Sequence, residues 1–392
     1  MARWIILICL LVSIVEARRH RNQFNVRNYK PIANGKNDDT RAFLSAWGDA
    51  CKSRGRASVV VPEGQYLLNP IVFSGPCRAL VTFELKGTLI APANNPSPSN
   101  TTWLNFRYLN QLTVNGGGLL DGQGPLAWGL KGGNPLLISL GFAFINNSNI
   151  NNIRSSNSQN AHISMFQCAN ITFSNLNITA PGHSPNTDGI KMAQSEGINI
   201  NHVHISTGDD CVAMLSGTKN VNISNVYCGP GHGISVGSFG HNSDEFDIEE
   251  IFVKNCTFKD TTNGLRIKTW ASPLNHPLKA SNIVYEDITM IDVFHPINID
   301  QEYCPRRNCG IKVPSRVQIS DVKYRNIHGT CKGDVAVTFK CSASNPCQNI
   351  STENIDLRRK GNHHHHRQKP LRNFCSNVHG VSHGKQKPQA CV

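Results

Sequence analysis

Seven eight-residue segments share a spacing of apolar positions, with apolar residues mostly at positions 1, 3, 6 and 8. They begin at Ile171, Ile198, Val221, Ile251, Ile283, Val317 and Ile350, at separations of 27, 23, 30, 32, 34 and 33 residues. Position 5 is Asn or Asp in six of the seven, His202 being the exception. Alternation at positions 1 and 3 predicts a short strand with one face inward. The Asn or Asp between apolar pairs suits a turn, where its side chain bonds the local backbone. A second short strand accompanies the octets: HISMFQ, GIKMAQ, CVAMLS, GISVGS, GLRIKT, PINIDQ and DVAVTF. No helical periodicity separates these strands, which disfavours βαβ units. An antiparallel sandwich would place turns every 8–12 residues without a long repeat. Several strands per unit, each unit stacked on the next, predict an all-β fold: a right-handed parallel β-helix.

A solenoid of this kind needs its ends covered, because the terminal coils present open edges and an apolar core. Asn37-Asp38-Asp39-Thr40 reads as a helix start, and Phe43, Trp47 and Ala50 fall on one face after it. This short helix is the expected N-terminal cap. At the other end the tail from 358 to 392 is basic and carries four consecutive histidines, His363 to His366. A solvated loop is the expectation there rather than a metal site.

Composition then narrows the compartment and the partner. The chain has 392 residues, 39% apolar and 17% charged, which is enough apolar content for a sizeable core and unlike a disordered protein. Beyond the N-terminal segment no apolar run reaches about 18 residues, so no membrane-spanning helix is expected. Met1-Ala2-Arg3, the apolar stretch Trp4 to Val15 and the small residues up to Ala17 read as a secretory signal, cleaved after Ala17. A single domain over 18–392 follows. Fourteen Cys, one of them Cys9 in the signal, leave an odd mature number, so at least one is expected to be unpaired. Cys341 with Cys347 and Cys211 with Cys228 are the expected disulfides. Seven N-x-S/T sequons, at Asn100, Asn146, Asn170, Asn177, Asn222, Asn255 and Asn349, agree with export. The net charge of +13 suits nucleic acid, an anionic membrane or an acidic substrate. Secretion removes nucleic acid from that set.

Aligning the second strands brings polar residues into register. Asp188 precedes Gly189-Ile190, Asp210 precedes Cys211-Val212 with Asp209 ahead of it, His232 precedes Gly233-Ile234, and Asn263 precedes Gly264-Leu265. Stacked parallel strands lie about 4.8 Å apart, so three carboxylates and an imidazole gather on one flank. Carboxylates that close cannot all ionise independently, and at least one is expected to have its pKa raised. Neighbouring charge is expected to favour the protonated form of Asp209. A protonated acid beside an ionised base is what glycosidic hydrolysis needs. Arg266 and Lys268, two apart on a strand, face the same side and suit a negatively charged substrate.

Asn186-Thr187-Asp188, Gly208-Asp209-Asp210, Gly231-His232-Gly233 and Arg266-Ile267-Lys268 together resemble the four signature motifs of the polygalacturonases, glycoside hydrolases of family 28. The resemblance runs from about Phe24 to the C-terminus. Ser184-Pro185 before Asn186, and Ile297 to Gln301 before Glu302-Tyr303, are similar to plant pollen-type exopolygalacturonases. The resemblance implies a pectin-lyase-like β-helix and hydrolysis of polygalacturonate with inversion, without a cofactor or metal, by a secreted enzyme of the cell wall acting as a monomer. It implies that Asp209 is the general acid, that Asp188 and Asp210 activate water, and that His232 tunes the acid. It further implies that Asn186, Arg266, Lys268 and Tyr303 contact the substrate. Exo action is the expectation, with endo action the alternative. A pectate lyase would need Ca²⁺ and eliminate without water. A non-catalytic pectin-binding wall protein would have no use for the stacked carboxylates.

Overall fold

The computed structural model describes residues 22–130, 134–305, 309, 313–360 and 370–392. The signal-like segment and His363 to His366 lie outside the described residues. Two sheets of 22 and 11 strands account for the chain, and every pairing between their strands is parallel. The smaller sheet takes one strand from each coil, running from Ile71–Ser74 through Ile190–Ala193, Val212–Met214, Ile234–Phe239 and Asn263–Thr269 to Arg372–Ser376. The larger sheet bends within each coil. The parallel β-helix expected from the octets is the observed fold.

Position 5 of the octet is where that bend falls. Asn175, His202, Asn225, Asn255, Asp287 and Asn354 all take the left-handed conformation, with φ between 50° and 55°. Asn and Asp tolerate it because a short polar side chain bonds the backbone nearby. The flanking apolar positions stack inward: Ile171, Ile198, Val221, Ile251, Ile283 and Ile350 are each fully buried.

One octet is out of register. Ile283 pairs with Val322 rather than Val317, and Val322 pairs with Ile350. The repeat therefore begins at Val322, with Asn326 at its bend (φ 52°). The slip has a physical source. Each coil has a second left-handed corner five residues upstream, for example Asn170 before Asn175 and Asp321 before Asn326. Asp321 satisfies the Asn-or-Asp rule at the wrong corner.

The helix Thr40–Lys52 caps the N-terminal coil, burying Phe43, Ala46, Trp47 and Ala50. Trp47 packs on Phe73 and Phe106, ring centroids 5.1 and 5.6 Å away. Full burial of a side chain such as Phe43 contributes roughly 1.5–3 kcal/mol. The Cys51–Cys77 disulfide ties the end of the helix to the coil beneath. Cys211–Cys228 and Cys341–Cys347 form as expected, joined by Cys304–Cys309 and Cys375–Cys391. Cys168, Cys256 and Cys331 are unpaired and buried. All seven sequon asparagines are exposed.

Candidate active site

Ile190, Val212, Ile234 and Leu265 pair in sequence across four strands of the smaller sheet. Asp188, Asp210, His232 and Asn263 each stand two residues earlier and so form one row along the rim, in the order that the aligned second strands imply. Asn263 pairs in turn with His295, which extends the row by one coil. The turns feeding this rim are tied tightly together. Thr187 Oγ1 accepts from Gly208 N at 2.9 Å and lies 2.6 Å from Ser184 Oγ. A Cβ on Gly208 would come within 2.0 Å of Ser184 O, so only glycine admits this approach. Gly233 (φ 88°) is similarly pressed, its absent Cβ 2.3 Å from Asn263 O. The disulfide at Cys211 anchors the residue that directly follows Asp210.

The three carboxylates have different partners. Lys268 Nζ donates to Asp210 Oδ2 at 2.6 Å and Ser235 Oγ donates to Asp210 Oδ1 at 2.8 Å, in an ion pair whose members are 6% and 2% exposed. Asp209 Oδ1 lies 3.0 Å from His232 Nδ1 and accepts from Asp210 N at 2.8 Å. Asp188 is buried, and among the described residues its carboxylate accepts no hydrogen bond. Burial, followed by the charges of Asp209 and Asp210, pushes its carboxyl up to about 7 against a weaker pull from Lys191 and Lys268. At Asp209 burial acts upward, but the hydrogen bond and charge of His232 outweigh it and hold the carboxyl below its ordinary value. The same bond raises His232 above the ordinary imidazole value, against its burial.

A raised carboxyl in the cluster is what the sequence leads one to expect, and Asp188 is that group. The expectation that charge favours the protonated form of Asp209 itself is corrected for the ligand-free site. The bond and charge of the imidazole stacked one coil away outweigh burial at Asp209, so the carboxyl held high in this cluster is Asp188 and not Asp209.

Arg266 and Lys268 converge on Tyr303: the guanidinium carbon is 5.1 Å and Nζ 5.3 Å from the phenol ring centroid. Tyr303 N donates to Thr269 O at 3.1 Å, which holds the ring over the strand that carries both cations. Arg266 Nε is buried without a hydrogen-bond partner. Asn186 occupies a left-handed turn (φ 52°), exposed, two residues ahead of Asp188. Its side chain makes no hydrogen bond to the other site residues among those described. Sequence reasoning missed three neighbours. Trp270 meets Tyr303 edge-on at 5.1 Å and His241 packs on Trp270 at 4.8 Å. His295, whose imidazole is held low by burial and then by Arg266, is the third. Carrying the strand alignment one coil further would have found His295. Trp270 and His241 arrive on irregular connections that bear no repeat signal.

Asp209, Asp210 and His232 offer ligand atoms within 4.8 Å of one another, a spacing that fits a cation. Asp210 Oδ2 is already engaged by the Lys268 ammonium and Asp209 Oδ1 by His232. A cavity of about 650 Å³ between Gln167, Gln194, Phe246 and His276 includes none of the eight expected site residues. The expected site residues therefore lie on the rim rather than in that cavity.

The family model described as Glycosyl hydrolases family 28 matches residues 51–385. A polygalacturonase of Gossypium hirsutum is 40% identical over 98% of this chain and 94% of its own length. An exopolygalacturonase of Platanus acerifolia is 40% identical over 93% and 96%, and one of Arabidopsis thaliana 43% identical over 91% and 80%. Among solved structures, an endo-xylogalacturonan hydrolase of Aspergillus tubingensis superposes with a TM-score of 0.77 at 23% identity, covering 93% of this chain and 99% of that one. An exopolygalacturonase of Thermotoga maritima gives 0.73 at 17% identity, covering 93% and 92%.

Proposed function

The chain belongs to glycosyl hydrolase family 28, and we propose that it is a secreted exopolygalacturonase that hydrolyses the α-1,4-galacturonosyl linkages of homogalacturonan with inversion. The observation that carries the chemical reading is the stacked row of Asp188, Asp209, Asp210 and His232, in which burial and neighbouring charge push the Asp188 carboxyl up to about 7. In this mechanism Asp209 delivers a proton to the leaving glycosidic oxygen, while Asp188 and Asp210 hold and activate the attacking water. Lys268 and Ser235 fix the orientation of Asp210 through its two oxygens.

The free site holds its carboxyl proton on Asp188 and a second on the His232–Asp209 pair. The reacting state needs the same count with the carboxyl proton on Asp209, so the cluster has to redistribute a proton and needs no other source. Coupled carboxylates titrate as a unit, which is why the count matters more than the site of residence. Arg266 and Lys268, backed by Tyr303, bind galacturonate carboxylates near the scissile bond, a guanidinium gripping a carboxylate through two hydrogen bonds. Asn186 contacts the sugar from the adjacent turn.

Exo action rests on the relatives named exopolygalacturonase and on the residues before Asn186 and before Glu302-Tyr303. Polymer viscosity should fall slowly relative to reducing-end release, with galacturonic acid the only early product. A rapid viscosity drop with a ladder of oligomers would establish endo action and leave the residue roles untouched. The signal-like start and the five disulfides support export to an oxidising compartment, which suits a location in the cell wall. Residues 18–392 act as one catalytic domain and as a monomer. Activity that persists in chelator separates this reading from a calcium-dependent lyase.

A further inference from the structure

At the bend that follows four consecutive strands of the smaller sheet stands a corner residue in the left-handed conformation. In the middle coils it is Gln167 (φ 50°) and Gln194 (φ 47°), but in earlier coils it is Tyr108 (φ 58°) and Phe144 (φ 57°). A bulky aromatic residue is rare there, and the conformation costs of order 1–2 kcal/mol. The rings of Tyr108 and Phe144 stack face to face at 4.9 Å, and Phe166 meets Phe144 edge-on at 5.8 Å. Tyr108 and Phe166 remain 49% and 40% exposed, whereas the neighbouring aromatic stack Phe73–Phe106–Phe142 is buried. The Arg107 guanidinium lies over this step, 5.4 and 5.9 Å from the two stacked rings. Among the described residues Arg107 forms no ion pair, and its side chain makes no hydrogen bond. Beside the rings is a cavity of about 260 Å³ with a second cation, Arg78, in its wall.

The step shares a face with the catalytic rim. Arg107, Ala143, Phe166 and Ala193 pair directly, and two coils further on the same row reaches Gly237, which pairs with Lys268. Six coil spacings separate Arg107 from Lys268, about 29 Å. Ala143, Ala193 and Gly237 keep the floor between them low, interrupted by Leu215.

We propose that Tyr108, Phe144 and Phe166, with Arg107, form a second binding site that holds an acidic polysaccharide segment far from the scissile bond. The ligand class follows from the chemistry. Aromatic faces accept the apolar face of a pyranose ring, and a guanidinium free of protein partners accepts a carboxylate. For this enzyme that ligand is de-esterified galacturonan, so the proposal rests on the polygalacturonase reading and deepens it. Long chains would be retained between successive cuts, and short ones would not reach.

Two substitutions test this with little backbone risk. Tyr108→Asn keeps the left-handed corner, since Asn147 and Asn170 adopt it in this chain (φ 52° and 56°). Phe166→Ala matches its row neighbours Ala143 and Ala193. The double variant should raise KM for long polygalacturonate about tenfold, the equivalent of about 1.4 kcal/mol. Its kcat, and all its kinetics on digalacturonate, should be unchanged. An unchanged KM for the polymer, or equal slowing on both substrates, would overturn the proposal. Affinity electrophoresis through gels containing polygalacturonate examines the same site without turnover, so it reads out even if the chain proves not to hydrolyse galacturonan. Introducing the two substitutions into Asp209→Asn protein should abolish most of its retardation in polygalacturonate but not alter migration in fully methyl-esterified pectin. Equal retardation with and without the two substitutions would refute the second site.

Discussion

Two rows of polar residues run along this solenoid, built by the same stacking and ending in opposite electrostatic states. At the bends of the larger sheet the stacked side chains are mostly amides that satisfy one another. Asn255 Nδ2 donates to Asn225 Oδ1 at 2.5 Å, Asn326 to Asp287 at 3.0 Å and Asn354 to Asn326 at 3.2 Å. Each amide has a donor end for one neighbour and an acceptor end for the next, so the row needs little charge compensation, and its carboxylate rung, Asp287, lies 3.7 Å from Lys254. On the rim before the smaller sheet the same geometry stacks Asp188, Asp210 and His232, with Asp209 beside them. Ionised carboxylates are acceptors only and cannot satisfy one another, so imported cations and a retained proton must do it. Lys268 and His232 supply part of that compensation, and Asp188 keeps a proton up to about pH 7. The comparison teaches that a repeat fold builds structure wherever its rows neutralise themselves. Chemistry is left where they do not.

Breaking the charged row should have the largest effect. Asp209→Asn removes the proposed proton donor to the leaving oxygen and should lower kcat by several orders of magnitude with KM nearly unchanged, read from steady-state kinetics on polygalacturonate. Activity within about tenfold of the wild type would remove Asp209 from the mechanism. Lys268→Ala should come next. It withdraws the ammonium from a buried Asp210, and breaking a buried pair by removing one partner costs about 3–5 kcal/mol. A raised KM, chiefly for de-esterified galacturonan, should accompany lower thermal stability, and the wild type should act poorly on methyl-esterified pectin.

Asp188→Asn sharpens the comparison because it should turn one rung of the charged row into an amide rung. The Asp188 carboxyl is raised from 3.8 to about 7 in the folded chain. Below about pH 4 it is protonated in both folded and unfolded chains and has no effect on stability. As pH rises to about 7 the unfolded chain loses that proton while the folded chain holds it, so the wild type is progressively destabilised. The Asn variant should therefore be inactive yet more stable at pH 8, by up to about 4 kcal/mol, with the gain vanishing near pH 4. Denaturant titrations at the two pH values measure it, and equal stability at pH 8 would mean that Asp188 is not strained by its neighbours. The smallest effect belongs to the neutral row. Asn255→Ala loses one ladder bond and a side chain suited to the left-handed corner, and should cost about 1–2 kcal/mol without changing kcat or KM.

Much of this contrast is written in the sequence, because a parallel solenoid converts linear spacing into lateral contact. Asp188, Asp210, His232 and Asn263 align on their following Gly-apolar or Cys-apolar pairs from spacing alone. The same logic fails at Val317 because both corners of a coil accept Asn or Asp, and the local pattern does not say which corner it marks. It also leaves the early coils unseen. There Gly116 and Gly117 (φ 121° and 83°) turn the chain in place of Asn, so the octet loses its most visible position. Charge compensation is the least legible layer. That interactions led by His232 lower Asp209 more than burial raises it depends on a 3.0 Å bond, which register alone does not fix. The aromatic neighbours Trp270 and His241 lie on connections without a period, and spacing is silent about them.

The central claim is that a stacked carboxylate cluster with one retained proton hydrolyses galacturonan. It is tested most directly by the pH dependence of reducing-end release from polygalacturonate in the presence of chelator, measured as kcat/KM. The account predicts release without added metal, greatest at mildly acidic pH and falling about tenfold per unit as pH rises beyond about 7, where the cluster loses its proton. No release at any pH, or a rate that stays level well above pH 7, would contradict it.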